Sequence, residues 1–287
     1  MKGQMSRLGD HLLHSGLRSA ALLAGTVVVV IVVFLIVEST PFMAQVGTTR
    51  LFTDATWSPT SNLYNVTPML VGTALTTGGA LVLAVPLGLL SAVFAHFYCH
   101  PRAVGWYRRL VEILAGIPSV VYGFWGLVVL VPKINAIAPP GASLLAGAIV
   151  LAIMILPTLA LVADASFAAV PAETMRGAAA LGLGVWGTLR LAVLPSASSG
   201  LITGTLLQTG RALGETMAVL LVCGNIVQVP GSVFDPIRTL TANIALEMAY
   251  ATGHHRAALF ACGLLLMIAV AALVVGAEGF SRGRSHG

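Results

Sequence analysis

Arg211 and Glu215 lie in an otherwise uncharged apolar stretch, Gly200 to Cys223, of a 287-residue chain. Placing a charge at bilayer depth costs roughly 3 kcal/mol on insertion scales and more in simulations. Such residues face a water-filled path, a substrate or a partner helix. Four positions apart, the two would share one helix face and could pair there. Their chemistries differ. A guanidinium keeps its charge when partly buried and offers planar donors that hold an oxyanion as a fork. An ionised carboxylate can only accept hydrogen bonds, so it repels an anion without an acidic proton and can take the proton of one that has it. Ser119, Tyr122 and Thr216, also in apolar runs, could donate to an oxyanion or bond back to their own helices.

Elements long enough to carry these residues through a membrane are present. The chain is 57% hydrophobic and 9% charged, with mean hydropathy +0.94, too little polar material to cover a soluble domain of this size. Six apolar runs approach the roughly 20 residues a spanning helix needs. They lie near Ser19–Val37, Met69–Phe97, Leu110–Val131, Ser143–Val162, Gly200–Cys223 and Ala257–Ala277, which places Arg211 near the middle of the fifth. The expected class is an all-α, polytopic membrane protein. The first run exceeds a secretory signal core and lacks a small-x-small cleavage site, so it is expected to be retained. Pro86 and Pro118 should kink the second and third spans. Gly200, Gly204, Gly210 and Gly214 suit close helix packing.

The net charge of +5 invites a nucleic-acid reading, but the basic residues are spaced between apolar runs rather than clustered. Their distribution fits membrane topology instead. With the N-terminus inside, ten fall on the inner side (Lys2, Arg7, Arg18, Arg102, Arg108, Arg109, Arg176, Arg190, Arg282 and Arg284) and four outside (Arg50, Lys133, Arg238 and Arg256). Both termini are thus expected in the cytoplasm. The organisation reads as an inner segment 1–18, a first span 19–37, an outer loop 38–68, a core 69–277 and a tail 278–287. Cys99, Cys223 and Cys262 are scattered, and His254 and His255 lack a partner at metal-ligand spacing. These read as small buried hydrophobes and a solvated loop. Neither a metal nor a cofactor is expected. Glu112 and Asp164 read as interfacial residues.

The inner segment 163–199 carries a second pattern. After Val170-Pro171 comes Arg176-Gly177-Ala178-Ala179-Ala180-Leu181-Gly182, then Trp186 and Leu194-Pro195. The alanines favour a short helix, Gly182 can stop it, a second helix follows, and Pro195 opens the fifth span. A helix–turn–helix held between two spans suits docking onto a soluble partner.

This segment resembles the coupling loop of binding-protein-dependent ABC importer permeases, with Pro171, Ala178, Gly182 and Pro195 at matching positions. The strings Arg211-Ala212-Leu213-Gly214-Glu215-Thr216-Met217-Ala218 and Ile117-Pro118-Ser119-Val120-Val121-Tyr122-Gly123 are similar to the PstC family, one of two permease subunits of phosphate importers. The motifs run from about Phe52 to Asn225. The resemblance implies a MetI-like transmembrane domain in a bacterial inner membrane. It also implies a heterodimer with a PstA-like permease, two PstB-like ATP-binding subunits, a periplasmic PstS-like binding protein and inorganic phosphate as cargo. It places the substrate path at Arg211, Glu215, Ser119, Tyr122 and Thr216. The coupling loop falls at Pro171, Arg176, Gly177, Ala178, Gly182 and Pro195. Arg176 departs from the pattern, which has a Glu there.

Lys2 and Lys133 are the chain's two lysines, and neither ends a Gly-rich phosphate loop. The chain is therefore expected to rely on a partner for ATP hydrolysis and to be no enzyme itself. Other oxyanions (sulfate, molybdate, tungstate) are the alternative cargo. A stand-alone carrier or intramembrane enzyme would leave the coupling loop idle, and no internal repeat supports the carrier.

Overall fold

A computed structural model describes the backbone of residues 2–284 and the side chains of 13–276. The first helix, α1 (Lys2–Gln45), is followed by a one-turn α2 (Arg50–Thr53) and a two-residue antiparallel hairpin, β1 (Trp57–Ser58) and β2 (Leu63–Tyr64). Then comes α3 (Thr67–Val93), extended by a π-helical turn, Phe94–Tyr98. Next are α4 (Pro101–Ala115) and α5 (Ser119–Trp125), the latter running through another π turn into α6 (Val131–Asn135). Helix α7 (Leu144–Ala168) precedes α8 (Ala172–Ala180) and α9 (Val185–Thr188). The last runs through a third π turn, Leu189–Val193, into α10 (Leu194–Leu213). Short helices α11 (Met217–Val222) and α12 (Leu240–Glu247) lead to α13 (Gly253–Arg284).

Among the described residues five helices are long and apolar enough to cross a membrane. A sixth crossing exists if α4 and the α5–α6 rod count as one span, although they meet at 87°. The third span thus differs from the expectation of a kinked Leu110–Val131 helix. Pro118 lacks an N–H and disfavours helix at the residue before it, and its own ψ of 141° is extended. The chain turns there instead of bending. Pro86 stays within α3, as Pro157 does within α7.

The centre of the molecule is α3 packed on α7. Gly88 lets α3 approach so closely that a Cβ there would sit 2.9 Å from Leu159 Cβ. Ala80, Ala84, Val150, Met154 and Ile155 fill the contact. Helix α10 packs along α7, with Gly200 on Ser166 and Gly204 on Val162, and also meets α3. Helix α1 pairs with α13 through edge-to-face Phe34 and Phe260, 5.5 Å apart. One end of the bundle is capped by a second core in which Phe42, Trp57, Tyr64, Met69 and Leu259 join α1, the hairpin, α3 and α13. The other end has a third core of Ala92, Phe167, Leu189 and Val193, beside the α8–α9 turn.

Segment bounds shift in consequence. Helix α7 runs beyond Val162 to Ala168, and α9–α10 form one rod, Val185–Leu213. The turn between spans shrinks to little more than α8. Pro195 sits within that rod just after its π turn rather than opening it. Segment 38–68, expected to be an outer loop, is largely ordered. Asp54 Oδ1 meets Arg50 Nε at 3.0 Å, and its Oδ2 accepts the Tyr64 N–H at 2.8 Å, pinning the hairpin. Burial pushes the Asp54 carboxyl up, but the Arg50 and Tyr64 hydrogen bonds outweigh it and hold the group below its ordinary range.

Candidate functional site

Two apolar segments are broken, and their short halves meet. One breaks at Gly116–Pro118, the other at Gly214–Thr216. Beyond the breaks, α5 and α11 pack so closely that a Cβ on Gly123 would lie 2.8 Å from Ala218 Cα. Interrupted backbone inside a membrane frees polar groups that need partners, and such breaks persist where protein or a wet cavity supplies them. Here each break has identifiable partners. The Tyr122 hydroxyl donates to the Leu114 carbonyl at 2.7 Å, closing the end of α4 across the first break. At the second, the Thr241 hydroxyl donates to the Glu215 carbonyl at 2.7 Å, and the Thr216 hydroxyl to that of Gly214 at 3.2 Å.

Arg211 and Glu215 are not paired. Arg211 occupies the last turn of α10, exposed, and its Nη1 donates to Thr158 Oγ1 on α7 at 3.4 Å. Glu215 lies past the helix end, where its Oε1 accepts the Ala218 N–H at 3.2 Å and starts α11. The expectation of a shared helix face fails because Gly214 is a poor helix former and the carboxylate serves the next helix as a cap. Arg211 is accordingly at a helix end beside the break, not in the middle of an unbroken span. Tyr122 is buried within electrostatic reach of Arg211, whereas Ser119 is half-buried at the start of α5. Of the five predicted path residues, then, Tyr122 is near Arg211 but its hydroxyl, like that of Thr216, is bound to backbone. Gln208, one turn before Arg211, was not singled out by sequence. It is 7% exposed, with no hydrogen-bond partner for its amide oxygen.

The segment between α8 and α9, expected to be a coupling loop, has the predicted turn. Gly182 adopts φ +68°, its N–H bonds the Ala179 carbonyl at 3.0 Å, and the Leu183 N–H bonds that of Ala178 at 3.1 Å. This double closure is the Schellman ending of α8, which requires a left-handed residue and so favours glycine. Pro171 caps the start of α8, Ala178 faces inward, and Arg176, Gly177 and Pro195 are exposed. Leu181 (79% exposed) and Trp186 (65%) stand out at the tip.

Two polar clusters escaped sequence reasoning because tertiary packing, not local periodicity, brings their members together. Beside the coupling turn, Asp164 on α7 meets Arg108 on α4, with Nη2 at 3.0 Å and Nε at 2.7 Å off the hydrogen-bond axis, and His96 at 3.2 Å. Asp164, read from sequence as interfacial, is a half-buried tie between three helical segments. At the opposite end, Glu247 receives Arg238 at 2.8 Å and the Trp57 indole at 2.9 Å, with His255 Nε2 at 2.8 Å. His255 is thus a packed residue of the first turn of α13, not part of a solvated loop. His254 is exposed as expected. Cys223 and Cys262 are buried and Cys99 half-buried.

Comparison with known proteins places these features. The family model described as "Binding-protein-dependent transport system inner membrane component" matches residues 84–283. The "Phosphate transport system permease protein PstC" of Mesorhizobium japonicum is 34% identical, over 91% of this chain and 86% of that protein. A protein of the same description from Haemophilus influenzae is 33% identical over 86% and 85%. Among solved structures, a bacterial ABC transporter involved in importing alginate superposes with TM-score 0.61 at 14% identity, over 94% of this chain and 98% of that one. The MetNI methionine ABC transporter gives 0.58 at 18%, over 76% and 93%. The family model over most of the chain and relatives at 33–34% identity, on a fold shared with these transporters, lead to one conclusion: the chain belongs to the family of binding-protein-dependent transport system inner membrane components.

Proposed function

We propose that this chain is the permease subunit of an ATP-driven, binding-protein-dependent importer of inorganic phosphate. The observation that carries the reading is the likeness to proteins described as phosphate transport permeases, 33–34% identical across at least 85% of both chains. The site is compatible with it. Arg211 stands at a helix end beside two backbone breaks, a guanidinium that can hold an oxyanion as a fork. Glu215, within the second break, presents a carboxylate that tolerates an anion still carrying a proton. Phosphate keeps one near neutral pH, and sulfate does not.

The partners follow the same reading. They are a PstA-like permease forming the heterodimer, two PstB-like ATP-binding subunits at the α8–α9 turn, and a PstS-like binding protein on the opposite face. Arg176, exposed on α8 beside Glu173, would meet the ATP-binding subunit with a charge opposite to the family's usual Glu.

Uptake of labelled phosphate, with sulfate, molybdate and tungstate as competitors, tests the cargo in cells whose own copy is deleted. Arg211→Gln should abolish uptake while the complex still assembles, and Arg211→Lys should restore little. Glu215→Gln keeps an acceptor for the Ala218 N–H and should weaken discrimination against sulfate. Normal phosphate uptake by assembled Arg211→Gln would overturn the role of Arg211. Competition by molybdate better than by phosphate would overturn the cargo.

A further inference from the structure

Helix α4 presents three distinct faces, and the transport reading accounts for none of the outward two. Its inner side, Val104, Tyr107 and Val111, packs on α3 and α7, with the Tyr107 hydroxyl on Ser91. At 100° per residue, the opposite side divides into an apolar strip and a charged strip. The apolar strip is Trp106, Leu110 and Ile113, 68%, 57% and 66% exposed. The charged strip is Arg102, Arg109 and Glu112, all exposed. Arg108 on the inner edge is held by Asp164, while Arg102 and Arg109 have no carboxylate within ion-pair distance among the described residues. Arg109 instead lies over the Trp106 ring, 5.7 Å from its centre.

The position of α4 is fixed by its neighbours. Two residues, Cys99 and His100, separate it from the end of the α3 span, so it begins where that span leaves the apolar layer. It then meets the α5–α6 rod at 87°. Exposed Tyr98, at the junction, adds a second aromatic of the kind that settles at headgroup level. With three arginines and a glutamate in 15 residues, α4 is a poor span but a good interfacial helix.

We propose that α4 lies in the lipid interface on the coupling-turn side, leaving the α5–α6 rod (Ser119–Asn135) to make the third crossing by itself, and binds anionic phospholipid, its phosphate held by Arg102 and Arg109 with Trp106 and Ile113 among the upper acyl carbons. Charge selects the occupant: two arginines against one glutamate favour an anionic headgroup over a zwitterionic one. The proposal needs no assumption about the cargo.

The test uses the whole complex in phosphatidylcholine nanodiscs doped with phosphatidylglycerol, and counts retained phosphatidylglycerol by native mass spectrometry. Arg102→Gln/Arg109→Gln should lower its binding about fivefold per arginine removed. Arg102→Lys/Arg109→Lys should restore it. Arg190→Gln, at an exposed arginine elsewhere, should leave it unchanged. Millimolar inorganic phosphate should not displace the lipid, which separates a headgroup site from a free-anion site. A nitroxide at Ile113→Cys should be open to oxygen and partly to a water-borne nickel chelate. Equal lipid retention in the glutamine variant and its control would overturn the proposal, as would displacement by phosphate. A nitroxide shielded from both quenchers would also overturn it, showing that protein covers this face.

Discussion

Single residues act here mostly by ending or starting helices. Gly214 ends α10, the Glu215 carboxylate starts α11, and Pro118 turns α4 into α5. Arg211 acquires its place from those interruptions rather than from a partner charge. The same logic of one carboxylate serving backbone holds at Asp54, which ties Arg50 to the hairpin amide of Tyr64. Its pKa is held below the ordinary value in the fold, so its contribution is present above the unfolded pKa and lost as pH falls through the folded one. Protection of the Tyr64 amide against hydrogen exchange, corrected for intrinsic rate, should hold from pH 7 to about 5 and fall near pH 3. Asp54→Asn should show reduced protection throughout and lose the acid-dependent drop. Protection in the native protein that is unchanged at pH 3 would remove Asp54 as the pin.

Elements are joined by close approach of small residues, and two of those joints can be tested by adding atoms. A Cβ on Gly204 would lie 2.4 Å from Val162 Cγ1, a branched side chain with little room to swing. Gly204→Ala should therefore lower stability by about 1–3 kcal/mol, and Val162→Ala in the same chain should recover part of it. Thermal unfolding in detergent measures both, and strict additivity would show that α7 and α10 do not meet there. Gly182 is constrained differently. No atom crowds it, but its φ of +68° closes the α8 end. Gly182→Val should strain that turn, leave the subunits assembled and reduce phosphate uptake several-fold relative to ATP hydrolysis. Uptake and hydrolysis that stay in their normal ratio would dissociate this turn from coupling.

The whole molecule is a bundle with polar ties at opposite ends, Asp164 with Arg108 and His96 at one, Glu247 with Arg238 and His255 at the other. Breaking a buried ion pair by removing one partner is far more costly than losing an exposed one. The first tie joins α4 to α7 and to the turn that ends the α3 span, and the second joins α12 to α13 and the hairpin. The distribution of arginine predicts that both termini face inward. On that prediction a single cysteine at Gly177 should resist membrane-impermeant maleimide in intact cells. One at Thr60, exposed in the hairpin, should react, in a chain whose Cys99, Cys223 and Cys262 are replaced by alanine. The reverse pattern would invert the molecule.

Sequence alone determined the class and the cast. Long apolar runs have no folded alternative to helix in a membrane, because every backbone polar group must be satisfied internally. Local signals such as the alanine run before Gly182 act over one or two turns, so the coupling turn was legible from its own residues. Arg211 stood out by its type in an apolar run. Tertiary structure decided the geometry around it. An unbroken helix through Gly200–Cys223 would have set Arg211 above Glu215. Whether the helix continues past Gly214 depends on Thr241 taking up the freed Glu215 carbonyl, and that partner is set by packing. For the same reason the ties at Asp164 and Glu247 were invisible in the sequence. Trp57 and Glu247 are 190 residues apart, and no pattern of local periodicity records which distant side chain fills a buried carboxylate's remaining lone pairs.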